Sequence, residues 1–504
     1  MLNLTHISRS QRAATNYFSC RSAHLRPLRK NQDAIRKIGK NTDIALAHFD
    51  GLYSKVYGRM WPSMRLGLLS PKKQCAVANS FMDTEDLHKH LVEEQGATLL
   101  QRYYKKHLQS YTRWQIRQKI LDNKKARKRE LMARENNVPL ELIDPDNIEV
   151  SDVSDSELRG IQTSDENEGF SPAEDLVEMF SDRRMDEDER YFINRASTQL
   201  ALNEFVPATE MIMKEHIPSD ISYYDNYESE SSLDIEFREE APLDICDQLK
   251  VYTFPRGNWS RFDKPKTETA LGLLNLYHLD GASILPILAL DLQLGDVCAD
   301  YCAAPGGKTL AMLMTLRPKY ILCNDSSISR MNRLKRVLQS YLPDVSYVRS
   351  TLHLSNSDAK TLVQHDGYDK ILVDVPCSND RNSVESLDNN LFKRTRAEER
   401  LGLPQTQSTI LSSALKSIRV GGSLVYSTCT LSPVENDGVV QQALTQLKVE
   451  NHHATYAVIN LKEAFRPLRG LFKFNTKFRY GQQVLPDVCS NYGPMYISKI
   501  KRIN

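Results

Sequence analysis

The chain has 504 residues, of which 40% are hydrophobic and 8% aromatic, and 66 basic against 64 acidic side chains leave a formal net charge of +2. This length and composition exclude a small disulfide-stapled scaffold, a collagen-like repeat and a wholly disordered chain, and allow about two to four domains. The near-zero charge is a cancellation, because residues 1–140 sum to +16, residues 141–240 to −22 and residues 241–504 to +8. Each segment therefore needs its own interpretation.

The first 32 residues contain basic side chains and no acidic one. Six arginines and lysines precede Asp33 among Ser, Thr, Asn and Ala, without a long apolar run. Such a start is typical of a mitochondrial transit peptide, and the alternative is a basic tail without structure. We predict a transit peptide over residues 1–32 and a location in the mitochondrial matrix. No apolar run approaches the roughly 20 residues of a membrane span, so no membrane contact is expected.

Residues 33–140 show the apolar spacing of helices. Phe49, Tyr53, Val56 and Tyr57 would share one helix face, so this segment is predicted to be a helical extension. Its end, around Lys124–Arg129, is strongly basic, which fits either a solvated helix or a contact with phosphates.

Residues 141–240 are rich in Ser, Asp and Glu. High like charge with few apolar residues does not offset the entropy of ordering a chain. We predict an acidic, disordered insertion and assign it no role.

Residues 241–504 alternate between short β-branched runs and helical patterns. The predicted strands cover 296–302, 319–325, 345–351, 369–375 and 422–428, and the predicted helices cover 306–316, 326–341 and 405–418. This alternation predicts a Rossmann-like α/β domain whose ligands bind beyond the carboxyl ends of the strands.

The first of these strand ends reads DYCAAPGGKT, residues 300–309. It ends like a phosphate-binding P-loop, but Cys302 stands where that motif requires glycine. A glycine-rich turn at Gly306 and Gly307 lets a ligand approach the backbone closely. Asp325, at the end of the next strand, has the position of a ribose-binding acid. A nucleoside ligand without a pyrophosphate fits this pair, and S-adenosylmethionine is the expected cofactor.

Two cysteines, Cys377 and Cys429, follow other strand ends. A lone buried cysteine is usually a packing residue, and a zinc site lacks four recognisable ligands here. No metal is therefore expected, and nucleophilic catalysis fits best. Methylation of cytosine at carbon 5 is a reaction that needs both a thiolate and a methyl donor. The thiolate adds to carbon 6, and this makes carbon 5 able to attack the methyl group. Asp374, three residues before Cys377, is placed to hold the edge of the pyrimidine.

Three motifs together, DYCAAPGGKT, DVPCSNDR and YSTCTLSPVEND, resemble the Sun-domain (Nop2/Sun) family of RNA cytosine-5 methyltransferases. The resemblance extends over residues 243–504. The N-terminal ALAHFDGLYSKVYGRMWPSMRLGLLS resembles a mitochondrial branch of that family, which methylates small-subunit ribosomal RNA in support of ribosome assembly. An S-adenosylmethionine-dependent methyltransferase domain over residues 241–504 is thus expected.

The resemblance also implies roles for the two cysteines, which spacing alone does not order. It implies that Cys429 is the nucleophile, that Cys377 helps to release the product, and that Asp374 positions the base. The implied cofactor-binding residues are Gly306, Gly307 and Lys308 for the methionine part, Asp325 for the ribose, Arg330 and Asp374 nearby, and Asp358 for the adenine. Asn356 is the alternative to Asp358.

The expected RNA is unpaired or flipped at its target base. A basic rim is predicted from Arg256, Arg261, Lys264, Lys266, Arg381, Lys393, Arg394 and Arg396. The resemblance further implies a helical-repeat partner of the mitochondrial termination-factor family. The alternatives are a non-catalytic RNA-binding factor for ribosome assembly, and the same chemistry on tRNA or nuclear rRNA.

Overall fold

The computed structural model describes residues 40–136, 235–267, 272–450, 454–475 and 477–504. The predicted transit peptide (1–32) lies outside these residues, as does the predicted insertion up to residue 234. The chain divides into residues 1–40 and 41–504, and every element below belongs to the second part. No helix among the described residues is long and apolar enough to cross a bilayer.

The strands form two sheets. In chain order they are β1 Gln74–Ala78, β2 Thr98–Leu99, β3 Glu236–Glu239, β4 Val251–Thr253, β5 Leu276–Asp280, β6 Val297–Asp300, β7 Tyr320–Asn324, β8 Leu352–Ser355, β9 Tyr368–Asp374, β10 Ile418–Thr428, β11 Tyr456–Asn460, β12 Phe474–Asn475, β13 Gln482–Val484 and β14 Met495–Arg502.

The α-helices flank these sheets. They are α1 Asn41–Tyr57, α2 Trp61–Leu69, α3 Glu85–Lys89, α4 Leu100–Asn136, α5 Leu285–Leu290, α6 Gly307–Met314, α7 Ile328–Tyr341, α8 Ser346–Thr351, α9 Asp380–Glu385, α10 Ala397–Leu401, α11 Leu403–Leu415 and α12 Val439–Val449.

The larger sheet has the order β12-β13-β14-β10-β9-β6-β7-β8. The strands from β10 to β8 are parallel, and β14 runs antiparallel to β10. Chain order reverses beside β6, because β7 lies on one side of it and β9 on the other. Such a reversal opens a crevice at the carboxyl ends of the strands. The order confirms the predicted Rossmann-like α/β domain.

Two apolar layers cover the faces of this sheet. Residues of α5, α6 and α7, such as Leu310 and Leu334, belong to one buried cluster. Residues of α11 and α12, such as Leu411 and Val440, belong to the other. Helical spacing of apolar residues supplies both layers, and the sequence predicted α6, α7 and α11 but not α5 or α12.

The smaller sheet joins distant parts of the chain. Its order is β2-β4-β1-β5, so strands from the N-terminal extension alternate with strands from the catalytic segment. The pairing of β1 with β5 is antiparallel and matches Gln74 with Asp280. In addition, β3 lies within the last residues of the predicted insertion and pairs with β11 of the larger sheet. The extension and the catalytic segment therefore share one fold.

The helical N-terminal extension packs through the predicted face. Phe49, Tyr53 and Tyr57 of α1 are buried, together with Trp61 of α2, while Val56 is partly buried beside them. Pro62 stands in the first turn of α2, where a missing N–H costs nothing.

One predicted strand is wrong. Residues 346–351 form helix α8, and the strand is the following segment, Leu352–Ser355. Val, Tyr and Thr favour strands by propensity. The segment that pairs with β7 is nevertheless the next one, β8, in a register that runs from Ile321 opposite Leu352 to Asn324 opposite Ser355. Tertiary pairing overrides the weak local preference.

Candidate active site

The glycine-rich turn after β6 forms one wall of the crevice. Gly306 has φ = 111°, a backbone conformation that favours glycine. A Cβ at Gly307 would lie 2.9 Å from side-chain atoms of both Leu279 and Tyr277. The turn is therefore packed against β5, and larger side chains would fill this space.

Asp300, at the end of β6, is a buried carboxyl beneath the turn. Its Oδ2 accepts a hydrogen bond of 2.7 Å from the hydroxyl of Thr309. Burial raises the pKa of Asp300 to about 7, although that hydrogen bond acts in the opposite direction. Sequence reasoning did not select Asp300.

Asp325 follows β7 and holds the turn from the other side. It accepts hydrogen bonds from the N–H groups of Ser327 (3.0 Å) and Ala304 (3.3 Å). Arg330 Nη2 lies 3.3 Å from Asp325 Oδ2 and donates to the carbonyl of Ala304 at 2.7 Å. The predicted residues Asp325 and Arg330 thus lie together, at the end of the turn.

The two candidates after β8 lie in different environments. Asn356 donates to the backbone carbonyl of Asp325 at 2.5 Å. The side chain of Asp358 is half exposed, and its Oδ2 lies 3.5 Å from Lys360 Nζ. Of the two, Asn356 is the residue that contacts the predicted ribose-binding acid.

Lys308 and Asp374 form an ion pair across the crevice. Lys308 Nζ lies 2.7 Å from Asp374 Oδ2, and the hydroxyl of Ser427 donates to Asp374 Oδ1 at 2.8 Å. Burial lowers the pKa of Lys308, but the neighbouring Asp374 carboxylate outweighs it, so that the net shift is upward. Lys308 consequently remains charged at neutral pH. Ser427 is a contact that sequence reasoning missed.

The two cysteines lie side by side at the ends of β9 and β10. Cys377 Sγ and Cys429 Sγ are 3.0 Å apart, and the N–H of Cys429 donates to Cys377 Sγ at 3.3 Å. Both are free thiols. The hydrogen bond with Cys429 raises the pKa of Cys377 strongly, and burial adds to the shift. Cys377 therefore keeps its proton at neutral pH and can donate it towards Cys429.

A cleft of about 370 Å³ contains several of these groups, although neither Asp325 nor Cys377 lines it. It is lined by Ala303 to Pro305, Gly307, Lys308, Asp374 and Cys429, together with Lys72 and Tyr277 to Asp280. The volume lies within the range of about 300–1,000 Å³ that is usual for small-molecule sites. A glycine turn and acids at successive strand ends fit an S-adenosylmethionine ligand, with a cysteine in the same cleft.

Glu435, in the predicted motif after Cys429, is a further buried acid. Its Oε2 accepts from the N–H of Ser378 and from the Gln407 amide, each at 2.9 Å. Burial raises its pKa to about 7 against these two hydrogen bonds. The one indication of Glu435 in the sequence was its place within the motif YSTCTLSPVEND. The spacing of residues in that motif does not indicate that the acid is buried.

The predicted basic rim is wrong at Arg381. That side chain is 6% exposed and donates to the carbonyls of Gly67, Ser70 and Gly493. Buried carbonyls need donors, and a guanidinium can satisfy several at once. Of the other predicted residues, Arg396 pairs with Glu399. Although Arg381 lines the cleft, its guanidinium binds backbone carbonyls and does not form part of an exposed rim.

Comparison with known proteins places these residues in a family. Residues 287–501 match the sequence profile of the family described as 16S rRNA methyltransferase RsmB/F. The chain is 33% identical over 469 residues to the 5-cytosine rRNA methyltransferase nsun-4 of Caenorhabditis elegans, covering 91% of both chains.

Two further relatives match shorter parts of the chain, and both are named as RNA cytosine-5 methyltransferases. The 5-cytosine rRNA methyltransferase NSUN4 of Xenopus laevis is 41% identical over 258 residues, 51% of this chain and 63% of the relative. A mitochondrial tRNA (cytosine(34)-C(5))-methyltransferase of Danio rerio is 38% identical over 238 residues, 46% of this chain and 62% of the relative. This chain matches less than two thirds of the length of each of these two proteins.

The raised pKa of Glu435 predicts a pH-dependent stability. Because its pKa of about 7 in the folded protein exceeds the ordinary 4.5, the folded state binds more protons than the unfolded state between these pH values. The free energy of unfolding then falls as the pH rises through this window, by up to about 1.4 kcal/mol per pH unit. We expect Glu435→Gln to remove this contribution to the slope, measured by urea unfolding at a series of pH values. Glu398→Gln, in α10, is the control and should keep the wild-type slope, and an unchanged slope in Glu435→Gln would contradict the assignment.

Proposed function

Because this chain belongs to the RsmB/F family of methyltransferases, we propose that it methylates carbon 5 of a cytosine in mitochondrial small-subunit ribosomal RNA, and so supports assembly of the mitochondrial ribosome. S-adenosylmethionine is the methyl donor. The observation that carries the proposal is the pair of thiols, 3.0 Å apart, beside the cofactor cleft. Methyl transfer to an oxygen or to an exocyclic amine requires no such pair.

Cys429 is the proposed nucleophile, because of the two paired cysteines it is the one that lines the cleft. Its sulfur forms a bond to carbon 6 of the cytosine, and the electron pair of the 5,6 double bond makes carbon 5 nucleophilic. Bound S-adenosylmethionine supplies an electrophilic methyl group to that carbon. Removal of the carbon-5 proton by a base then restores the double bond and expels the Cys429 thiolate.

Cys377 is proposed to assist this last step. It retains its proton and lies within hydrogen-bond distance of Cys429 Sγ. A thiol in this position can donate to the departing thiolate, which stabilises the negative charge that develops on Cys429. Its position outside the lining of the cleft favours release over attack.

Asp374 is proposed to orient the base. One carboxylate oxygen is held by Ser427 and the other by Lys308, so the group has a fixed direction at the edge of the cleft. The same ion pair connects Asp374 to the glycine-rich turn. Asp374 can therefore contact both the base and the cofactor.

The remaining cofactor contacts are proposed from the geometry of the turn. Gly306, Gly307 and Lys308 would hold the methionine part, and Asp325, with Arg330 beside it, the ribose. For the adenine, Asp358 remains the residue named by the resemblance. Asn356 has the better support, because it contacts Asp325.

The proposed location and RNA rest on independent features. The acid-free, arginine-rich start supports the mitochondrial matrix. The names of the two rRNA methyltransferase relatives support ribosomal RNA. A partner of the mitochondrial termination-factor family would assist RNA binding. The mitochondrial tRNA methyltransferase relative supports one competing substrate, a tRNA.

Cys429→Ala should lose methyl transfer while it retains the cofactor. The variant removes the sulfur that bonds to carbon 6, but leaves the glycine turn and Asp325 intact. We expect methylation of a small-subunit rRNA fragment to fall below detection, while the Kd for S-adenosylmethionine, measured by calorimetry, changes by less than about threefold, or 0.7 kcal/mol. Cys489→Ala, an exposed cysteine, is the control. Methylation at the wild-type rate by Cys429→Ala would eliminate the covalent mechanism.

Cys377→Ala should trap the covalent intermediate. Without the thiol beside Cys429, the adduct forms but its breakdown slows, so protein and RNA migrate together on a denaturing gel. The double variant Cys377→Ala/Cys429→Ala should give no such band. A band that persists in the double variant, or that is absent from Cys377→Ala, would show that the two roles are misassigned.

The substrate can be tested by bisulfite sequencing after depletion of the protein. We expect a cytosine in mitochondrial small-subunit rRNA to lose its methylation, and re-expression of the active protein, but not of Cys429→Ala, to restore it. Loss confined to a tRNA would favour the competing substrate. Restoration of ribosome assembly by Cys429→Ala would indicate an additional role as a non-catalytic assembly factor.

A further inference from the structure

Asp380 is a fully buried carboxylate between the segments that follow the two cysteines. It begins helix α9, three residues after Cys377. It accepts hydrogen bonds from the hydroxyl of Ser378 (3.0 Å), the hydroxyl of Thr430 (2.9 Å), the N–H of Leu431 (2.7 Å) and the hydroxyl of Tyr53 (2.9 Å). Four donors thus meet on one carboxylate.

These donors come from both sides of the cysteine pair. Ser378 directly follows Cys377, and Thr430 directly follows Cys429. The two hydroxyls also contact each other at 2.8 Å. A single carboxylate therefore fixes the backbone that carries each thiol, although it does not itself line the cleft.

The fourth donor comes from the N-terminal extension. Tyr53 lies on α1, and its ring stacks on Phe49 with a centroid distance of 5.1 Å. The neighbouring Arg381 binds carbonyls at the end of α2 through its guanidinium. The extension consequently holds Asp380 and Arg381 from two sides, at the start of α9.

We propose that Asp380 is a positioning residue for the methylation reaction, which holds Cys377 and Cys429 at their working separation, and that Tyr53 connects this function to the N-terminal extension. The inference rests on the roles proposed above for the two cysteines. A buried donor that loses its acceptor is costly, so removal of the carboxylate lets the two segments move until Leu431 and Tyr53 find other partners. The separation of the sulfurs then changes, whereas the glycine-rich turn and Asp325, which are the proposed cofactor contacts, lie on other segments and keep their hydrogen bonds.

Four variants separate this role from general destabilisation. Asp380→Ala removes the acceptor. Asp380→Asn is the conservative variant: its amide oxygen accepts from Leu431 and Tyr53, while the hydroxyls of Ser378 and Thr430 rotate to accept from its NH₂ group. Tyr53→Phe removes one donor only. Tyr104→Phe is the matched control, because Tyr104 is also a buried tyrosine of the extension, and its hydroxyl bonds to Ala464 and Leu243 instead.

The first measurement needs no RNA. Glutathione disulfide oxidises the two thiols to a Cys377–Cys429 disulfide and is itself reduced to two glutathione thiols. The equilibrium constant of this exchange reports the effective concentration of one cysteine thiol at the other. We expect this constant to fall by about fivefold or more in Asp380→Ala, the factor that one net hydrogen bond represents. Asp380→Asn should recover most of the loss, and Tyr104→Phe should match the wild type. An unchanged constant in Asp380→Ala overturns the proposal, and if that variant does not fold, Tyr53→Phe compared with Tyr104→Phe gives the decision.

The second measurement follows the reaction. In Asp380→Ala, we expect kcat to fall and the protein–RNA adduct to accumulate, with the Kd for S-adenosylmethionine unchanged, and Asp380→Asn should restore turnover. A fall in cofactor affinity that parallels the loss of activity would indicate a structural role only and would contradict the proposal. Cys377→Ala, assayed in parallel, separates the two levels of inference. An adduct in Cys377→Ala but not in Asp380→Ala would refute the positioning role alone, whereas absence from both would refute the proposed function of the cysteines.

Discussion

The parallel pairing of β9 with β10 is the constraint on which the active site depends. In this register Asp374 lies opposite Ser427, and the two side chains share a hydrogen bond. The cysteines follow these residues at short intervals, so the register also brings their sulfurs together. A slip of one residue would turn every side chain of β10 to the opposite face. Fully buried apolar residues in both strands, such as Leu372 and Val425, oppose that slip.

The N-terminal extension completes the site rather than adding a separate module. Strand β1 pairs with β4 and β5, and its neighbour Lys72 lies in the wall of the cleft. Helix α1 packs against Phe392 and against Leu431, which lies two residues beyond Cys429. Charge and composition divide the chain into consecutive segments, but the backbone pairing crosses these divisions. Loss of the extension would therefore expose the apolar side of the cysteine loops and remove Lys72 and Gln74 from the lining of the cleft.

The sequence predicted those parts of the structure that depend on local pattern. Strand ends, the glycine turn and the location of Cys377 and Cys429 at the ligand-binding edge of the sheet follow from periodicity and from the parallel sheet. The prediction of a strand at 345–351 was wrong because the next segment is the one that pairs with β7. The prediction that Arg381 belongs to an exposed rim was wrong for a different reason. An arginine that binds buried backbone carbonyls cannot be distinguished in the sequence from an exposed arginine. Contacts such as that of Asp380 with Tyr53 join residues 327 positions apart, and no spacing rule encodes them.

Basic charge is distributed unequally between helix α4 and the residues beside the cysteines. Helix α4 carries 12 basic and 3 acidic residues, and if the proposed RNA substrate reaches this helix, these charges attract its phosphates whatever the base sequence. Near the cysteines, by contrast, Arg381 serves the fold and Lys308 is neutralised by Asp374. Electrostatic attraction can therefore increase the rate of encounter without specifying a sequence. Selection must then come from the cleft, where a base enters only if it is unpaired, and from whatever presents that base to it.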